Sequence, residues 1–478
     1  MGQPQSISQR WRQGWWRQGW TIALLSLGAV GLRLAACWYW AGDLSNDPDG
    51  YWGLAERLAE GAGFVSPDGS GTAFRPPLYP LLLSGIVTLG PWGVVFLHTL
   101  LGLAAVLGTY WLGRRLGDER LALFAAAFVA VDPLLVRYAP QVMTETLCAT
   151  LVVLATAGLF LERRAANSLG EENGGTWRWV ALAGGLGMIL GLAALARPTF
   201  LVWLGLLVGD ALIRELAIWW KQRPSAASAS SAESASSNSV GRNCALLLPL
   251  GLGVALVVAP WALRNAKVLG EYKLTTTHGG YTLLLGNNEI FWREVVEADE
   301  RKAWSGESLA RWQATLEAEL RKDGVDPRDE LARDAWMQQR AEENIRADPR
   351  SFVRACYFRL TRLWGVLPMG PEEVGIVLSA RSALGAYYVM TFLLAAIGGL
   401  TWLRENRGGE WVFWSDSAES VTWRSLVWLV LAFSAVHSVY WTDTRMRAPL
   451  AVAVGLFAAR GVVAIWSKGG ARRNGNST

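Results

Sequence analysis

Charge is what this sequence has least of. Of its 478 residues 18% are Asp, Glu, Lys or Arg and 52% are hydrophobic, whereas soluble domains carry about 25% charged residues. That balance excludes an ordinary soluble enzyme. Lysine is scarcer still, at positions 221, 267, 273, 302, 322 and 468. The net charge of +5 is therefore carried by Arg, and Arg near the ends of apolar segments reports membrane orientation, not nucleic acid. The four Cys (37, 148, 244 and 356) are scattered, without a CxxC or a metal-ligand spacing, so no disulfide framework is read. Leu34-Ala35-Ala36-Cys37 looks like a lipoprotein cleavage box, but Arg33 interrupts the apolar run before it and many apolar runs follow. No phosphate loop of the GxxxxGKS or GxxxxGKT form occurs.

What the sequence does have is tryptophan, 27 residues of it. Indole combines an apolar ring with an N–H that needs a wet partner, and membrane interfaces supply both. Apolar runs near the 20 residues that cross about 30 Å of hydrocarbon fall at 21–41, 92–113, 121–136, 145–161, 179–196, 199–218, 245–263, 382–402, 425–441 and 449–466. The run 78–90, bounded by Pro76-Pro77 and Gly90-Pro91, is too short to span and reads as a re-entrant or interfacial helix. The tandem Trp11-Arg12-Gln13-Gly14-Trp15 and Trp16-Arg17-Gln18-Gly19-Trp20 fits an interfacial anchor.

Ten spans with a cytoplasmic N-terminus place eighteen Lys and Arg in six inward segments and four, at 137, 197, 445 and 447, in the short outward connections. That asymmetry predicts both termini inside the inner (cytoplasmic) membrane. The expected fold is an all-α polytopic membrane protein of about ten transmembrane helices, with outer-face amphipathic helices and a smaller mixed extracytoplasmic region. Its parts are an N-terminal transmembrane module over 1–263 with a first outer loop at 42–77, an outer region at 264–381, and C-terminal spans at 382–478. The Ser/Ala-rich tract near 221–243 reads as a flexible inner linker. No inner segment could house a nucleotide-binding domain, so chemistry, if present, belongs to the outer face and needs a membrane-borne donor.

Polar residues gather at the outer ends of spans. Asp43-Leu44-Ser45-Asn46-Asp47-Pro48-Asp49-Gly50-Tyr51 sets two carboxylates where they can raise each other's pKa, share a cation, or simply cap the amphipathic helix expected from Tyr51. Arg75, stiffened by Pro76 and Pro77, is a bidentate donor suited to a lipid phosphate, or a snorkelling interfacial Arg. Glu145 opens a span behind Thr144, where capping is the default role. Lys273 to Asn288, with Gly279-Gly280 between β-prone runs, reads as a hairpin with His278 as a turn residue; His98 and His437 lie in spans. Residues 330–347 and 351–366 read as two helices split at Asp348-Pro349. The second carries Arg350, Arg354, Arg359 and Arg362 among apolar residues, a pattern suited to anionic headgroups. Arg445 and Arg447 share a tight outer turn, against the orientation bias, and suit an anion.

Taken in order, these landmarks resemble the polytopic glycosyltransferases of the GT-C fold, the group of protein O-mannosyltransferases and lipid A aminoarabinose transferases (glycosyltransferase family 39-like). The landmarks are Asp47 four residues before Tyr51, Arg75-Pro76-Pro77-Leu78-Tyr79, Thr144-Glu145, Arg264-Asn265 with Gly279-Gly280 and Gly286-Asn287-Asn288, and Asp443 to Pro449. The resemblance implies transfer of a monosaccharide from a polyprenyl-phosphate donor to a lipid, glycan or protein acceptor, with inversion at the anomeric carbon. It implies Asp47 as catalytic acid/base, with Asp49 or Glu145 in place of the family's second acid, because Pro48 follows Asp47 here. Arg75 would contact the donor phosphate, joined by Arg264, Arg445 and Arg447. Tyr51, Tyr79, Asn287 and Asn288 are candidate substrate contacts. No cofactor is implied beyond a divalent metal that Asp47 and Asp49 could bridge. Two other classes compete: a transporter or flippase of a lipid-linked sugar, for which no internal repeat is found, and a non-catalytic membrane assembly protein.

Overall fold

The computed structural model describes residues 7–168, 175–222, 242–297, 307–367, 378–407 and 410–475. α1 (Ile7–Tyr39) leads into a first loop holding α2 (Tyr51–Ala59) and α3 (Leu78–Ser84). There follow α4 (Pro91–Leu116), α5 (Glu119–Ala130), α6 (Pro133–Arg137), α7 (Glu145–Asn167), α8 (Gly175–Ala196), α9 (Thr199–Gln222) and α10 (Arg242–Leu269). Short helices α11 (Gly279–Gly286), α12 (Glu289–Phe291), α13 (Glu307–Lys322), α14 (Glu330–Ala347) and α15 (Pro349–Leu363) precede α16 (Leu378–Leu403), α17 (Ala418–Val439) and α18 (Ala451–Gly475). The strand content among the described residues is a two-residue antiparallel pair, Asn406 with Trp411 and Arg407 with Glu410.

Among the described residues, eight helices are long and apolar enough to cross a membrane: Gly19–Tyr39, Pro91–Leu116, Glu145–Asn167, Thr176–Ala196, Ala245–Leu269, Arg381–Leu403, Ala418–Val439 and Thr444–Ser467. The protein is a multi-pass membrane protein. The expected ten loses two for different reasons. The run 121–136 is cut where Asp132 caps α6, its carboxylate accepting from the Leu134 and Leu135 amides, and Pro133 removes an amide that a continuous helix would need. That leaves α5 with 12 residues, about 18 Å at 1.5 Å per residue. The broken pair still runs between two levels, because Arg114 meets Glu119 at one end and Arg137 meets Asp43 at 2.7 Å at the other. α9 has ample length but carries Asp210, Arg214 and Glu215. Those charges are held inside the bundle, with Asp210 paired to Arg214 at 3.1 Å and to Arg424 of α17 at 3.3 Å. The Ser/Ala tract from 223 to 241 lies outside the described residues, as does Trp304.

With no hydrophobic drive between helices in lipid, close packing through small residues holds them together. A Cβ on Gly187 would come within 2.1 Å of the Leu250 carbonyl, and one on Gly253 within 2.1 Å of the Gly184 carbonyl, so α8 and α10 cross backbone to backbone. α16 and α18 cross the same way at Gly398 and Gly461. The other side of α10 exposes Leu248, Leu252, Leu256 and Leu263, a lipid-facing stripe. Cys37, in the supposed cleavage box, is buried in the continuous α1.

The 264–381 region differs from expectation in kind. Residues 273–288 are, instead of a hairpin, an irregular segment followed by helix α11, and the regular elements described in the region are helices. Gly280 is explained by contact: a Cβ there would lie 2.1 Å from the Asp334 carbonyl, so the glycine lets α11 lie against α14. Trp292 and Trp312 sit in the core of this region with Leu283, Leu284, Phe291 and Met337, and Trp336 packs on it. Trp364 donates to Ser434 of α17. α15 shows an outward face with Val353 and Tyr357 exposed, but Arg359 is turned inward, donating to the carbonyls of Ser438 and Gly286 and, at 3.2 Å, to Asn287 Oδ1.

Candidate active site

Where the first loop, α11 and the ends of α9 and α17 meet, they enclose a cavity of about 570 Å³. Its walls include Asp49, Tyr51, Arg75, Arg197, His278 and Arg445. Gly50, at φ +73°, reverses the chain after Asp49 and starts α2 at Tyr51. Asp47 closes this turn: its Oδ2 accepts from the amides of Trp52 at 2.9 Å and Gly53 at 3.1 Å, the amino end of α2. Its Oδ1 is buried without a partner.

Asp49 is a carboxylate between two guanidinium groups, Oδ1 at 3.1 Å from Arg75 and Oδ2 at 3.4 Å from Arg445. Burial pushes its carboxyl up, but Arg445 and Arg75, with His278 and Arg197 beyond, outweigh this and hold its pKa below the ordinary 3.8. Arg75 lies over the Tyr51 and Phe74 rings at 5.6 and 5.3 Å. It also meets His278 Nε2 at 3.5 Å. Burial and then Arg75 push the His278 imidazole down to about 3, so it is neutral, and with Nε2 facing a donor its proton sits on Nδ1. That Nδ1, like Arg75 Nε, is buried without a partner.

Arg197 and His278 line the cavity although in sequence they read as an orientation charge and a turn residue. Arg197 stands between α8 and α9, where Pro198 interrupts the helical run, and its Nη2 donates to Thr144 Oγ1 at 3.0 Å and to Glu145 Oε1 at 3.1 Å. Its Nη1 and Glu145 Oε2 are buried and unpartnered. Glu145, 1% exposed, thus meets the cavity through Arg197.

Other expected site residues lie elsewhere. Arg264 spends its donors on the carbonyls of Thr72, at 2.6 Å, and Phe64, pinning the first loop to α10. Arg447 donates to the carbonyls of Leu363 and Gly365, both at 2.8 Å, and stacks on Tyr388 at 4.4 Å. Tyr79 is fully buried behind Tyr51, its hydroxyl 2.8 Å from His98. Asn287 donates to the Leu283 and Val439 carbonyls, and Asn288 caps α12 through the Phe291 amide. All five hold the fold and none lines the cavity, whereas Asp47, also outside the lining, stands directly before its first lining residue, Pro48. A metal bridged by Asp47 and Asp49 does not fit: both Asp49 oxygens face arginines, and among the described residues no three His, Cys, Asp or Glu group as ligands.

Superposition on solved structures decides the architecture. The archaeal oligosaccharyltransferase AglB from Archaeoglobus fulgidus, in complex with an inhibitory peptide and a dolichol-phosphate, matches with a TM-score of 0.53 at 14% identity, over 97% of this chain and 52% of its own. The fold is that of the GT-C glycosyltransferases. The apo form of the A. fulgidus enzyme matches this GT-C fold with a TM-score of 0.52 at 16% identity, over 94% and 51%. ArnT from Cupriavidus metallidurans, bound to undecaprenyl phosphate, superposes less closely, with a TM-score of 0.42 at 14% identity over 93% and 78%. The chain spans about half the length of the archaeal proteins. Within the GT-C fold, residues 74–223 match the family model of dolichyl-phosphate-mannose-protein mannosyltransferases, a segment that contains Arg75, Glu145 and Arg197. None of the curated proteins matches the sequence.

Proposed function

We propose that this chain is a membrane glycosyltransferase that moves a monosaccharide from a polyprenyl-phosphate donor to an acceptor hydroxyl on the outer face of the inner membrane, with inversion. The observation that carries the reading is the convergence of Arg75, Arg197 and Arg445 on one cavity at the end of an apolar helix bundle. A lipid phosphate reaches such a place from within the bilayer, and guanidinium groups are its natural partners.

In the proposed step the acceptor oxygen forms a bond to the anomeric carbon as the bond from that carbon to the phosphate oxygen breaks, its electron pair leaving with the phosphate. The acceptor proton passes to a carboxylate. Asp47 is the proposed base, supported by its unpartnered Oδ1. Asp49, held below the ordinary carboxylate range between two arginines, is the poorer proton acceptor and is assigned to the phosphate end. Glu145 orients Arg197. The guanidinium groups stabilise charge developing on the leaving phosphate.

The test is transfer from a radiolabelled polyprenyl-phosphate sugar by membranes containing the wild type or Asp47→Asn. Loss of transfer in a folded variant is the expected result. Unchanged transfer removes Asp47 as the base, and absence of transfer by the wild type across donors and acceptors favours the flippase reading.

A further inference from the structure

His437 is a polar side chain that the fold leaves unused. It lies near the outer end of α17, is 5% exposed and lines the cavity. Among the described residues neither of its ring nitrogens has a hydrogen-bond partner; the main chain at Trp441 attracts the ring but lies outside hydrogen-bond geometry. His98, the other imidazole inside the bundle, spends both nitrogens, on Tyr79 Oη and on the Ala139 carbonyl, each at 2.8 Å. An imidazole carries at least one N–H in either protonation state, and a buried donor left alone is costly. The ring is held in place all the same. It packs on Phe433 with 5.8 Å between centroids, and Phe433 packs on Phe200 of α9 at 5.2 Å, which fixes the imidazole at the seam between α17 and α9.

Arg197, just before α9, shares this wall, and its charge bears on the ring. Its Nη1 is likewise buried without an acceptor among the described residues. Two donors without acceptors on one wall, one of them charged, call for an anionic oxygen. The wall is also where the cavity meets lipid: Val202, in the first turn of α9, lines the cavity and is 40% exposed on a helix of the apolar bundle. We infer that His437 is a phosphate-binding residue: with the isoprenoid tail passing out beside Val202, its ring N–H donates to a phosphoryl oxygen that Arg197 also holds. The inference rests on the lipid-phosphate reading above. It gives that reading a second, independent donor, on α17, while Arg75 and Arg445 are engaged with Asp49.

Binding to the full-length protein in zwitterionic nanodiscs tests this, with undecaprenyl phosphate and undecaprenol as the probes. The wild type is expected to bind the phosphate more tightly than the alcohol. His437→Phe, which keeps a ring against Phe433 but has no N–H, should bind undecaprenyl phosphate about tenfold more weakly and undecaprenol as before. His437→Gln, which keeps a donor, should recover part of the loss. Nitrogen NMR of protein isotope-labelled in its histidine rings adds a readout that a packing role would not move. The signal missing from His437→Gln should shift when undecaprenyl phosphate is added to the wild type and stay in place with undecaprenol. Wild-type affinity for the phosphate in His437→Phe, equal weakening of both lipids, or a His437 signal that ignores the phosphate overturns the inference, while the wild-type preference for phosphate keeps the lipid-phosphate reading in place. A wild type that binds the two lipids alike overturns that reading itself.

Discussion

At the scale of single residues the site is built from charges that answer one another. Arg197 shows the consequence: it is the neighbour that neutralises the buried Glu145, and losing one partner of a buried pair costs about 3–5 kcal/mol. Arg197→Ala is expected to lower both thermal stability and transfer. Arg197→Gln with Glu145→Gln should recover much of the stability while transfer stays down by roughly 10²-fold, as melting curves and label incorporation on the same samples would show. His278 gives a pH prediction. Its folded pKa, about 3, is below the unfolded value of 6.5, so the unfolded chain takes up the proton first and stability falls as pH drops below about 6.5. At pH 5 this loss is about 2 kcal/mol, and the fall in Tm between pH 7.5 and pH 5 should be smaller in His278→Gln than in the wild type. That Arg75, Asp49 and Arg445 stand at one cavity is legible in sequence to the extent that Pro, Gly and a tight turn mark them. Arg197 carries a similar mark, an Arg-Pro pair like Arg75-Pro76, but in a short connection between spans it reads as an orientation charge. Arg264 and Arg447 misled because an outward Arg looks alike whether it meets a ligand or a carbonyl.

At the scale of elements, α14 steers the site from a distance. Its first residue, Glu330, accepts from the Ala73 amide at 2.8 Å and from the hydroxyls of Thr72 and Thr277. It thereby clasps the loop before Arg75 to the loop before His278, which the Thr277 amide joins again through the Ala73 carbonyl at 3.0 Å. Glu330→Ala is expected to raise KM for the donor several-fold with a smaller change in kcat, and Glu330→Gln to recover part of it, since an amide oxygen can still accept. A kcat loss with KM unchanged would argue against positioning. The glycine crossings make a separate prediction: Gly187→Val or Gly253→Val should separate α8 from α10 and lower Tm by several degrees, because the added carbons meet backbone, which cannot rotate away. Long apolar runs were readable as spans because their length is a physical requirement. The α5 break and the α11 helix were harder: a Pro inside an apolar run and a Gly-Gly pair each have two structural explanations, and which one holds depends on the neighbours Tyr388 and Asp334.

At the scale of the whole molecule, the charge asymmetry of the connections and the position of the cavity support one arrangement. Both termini should face the cytoplasm, with 42–77 and 264–381 outside. Reporter fusions after residue 230 and after the C-terminus are expected to report the inner side, and a fusion near residue 325 the outer. A reversed pattern would place the cavity where lipid-linked sugars must be met from the cytoplasm. Helix count was the coarse property least secure from sequence, since one run was broken and another was charged, yet α9 keeps its charges among neighbours and not in lipid.

The contact between Asp49 and Arg445 joins positions 396 residues apart. On a ribosome the second partner is made long after the first has entered the membrane, so for most of synthesis Asp49 has no Arg445 to meet. The site is therefore completed only when the last helices insert. A chain truncated before residue 445 is expected to occupy the bilayer with Asp49 answered by Arg75 alone, and so to show none of the transfer activity proposed for the full chain.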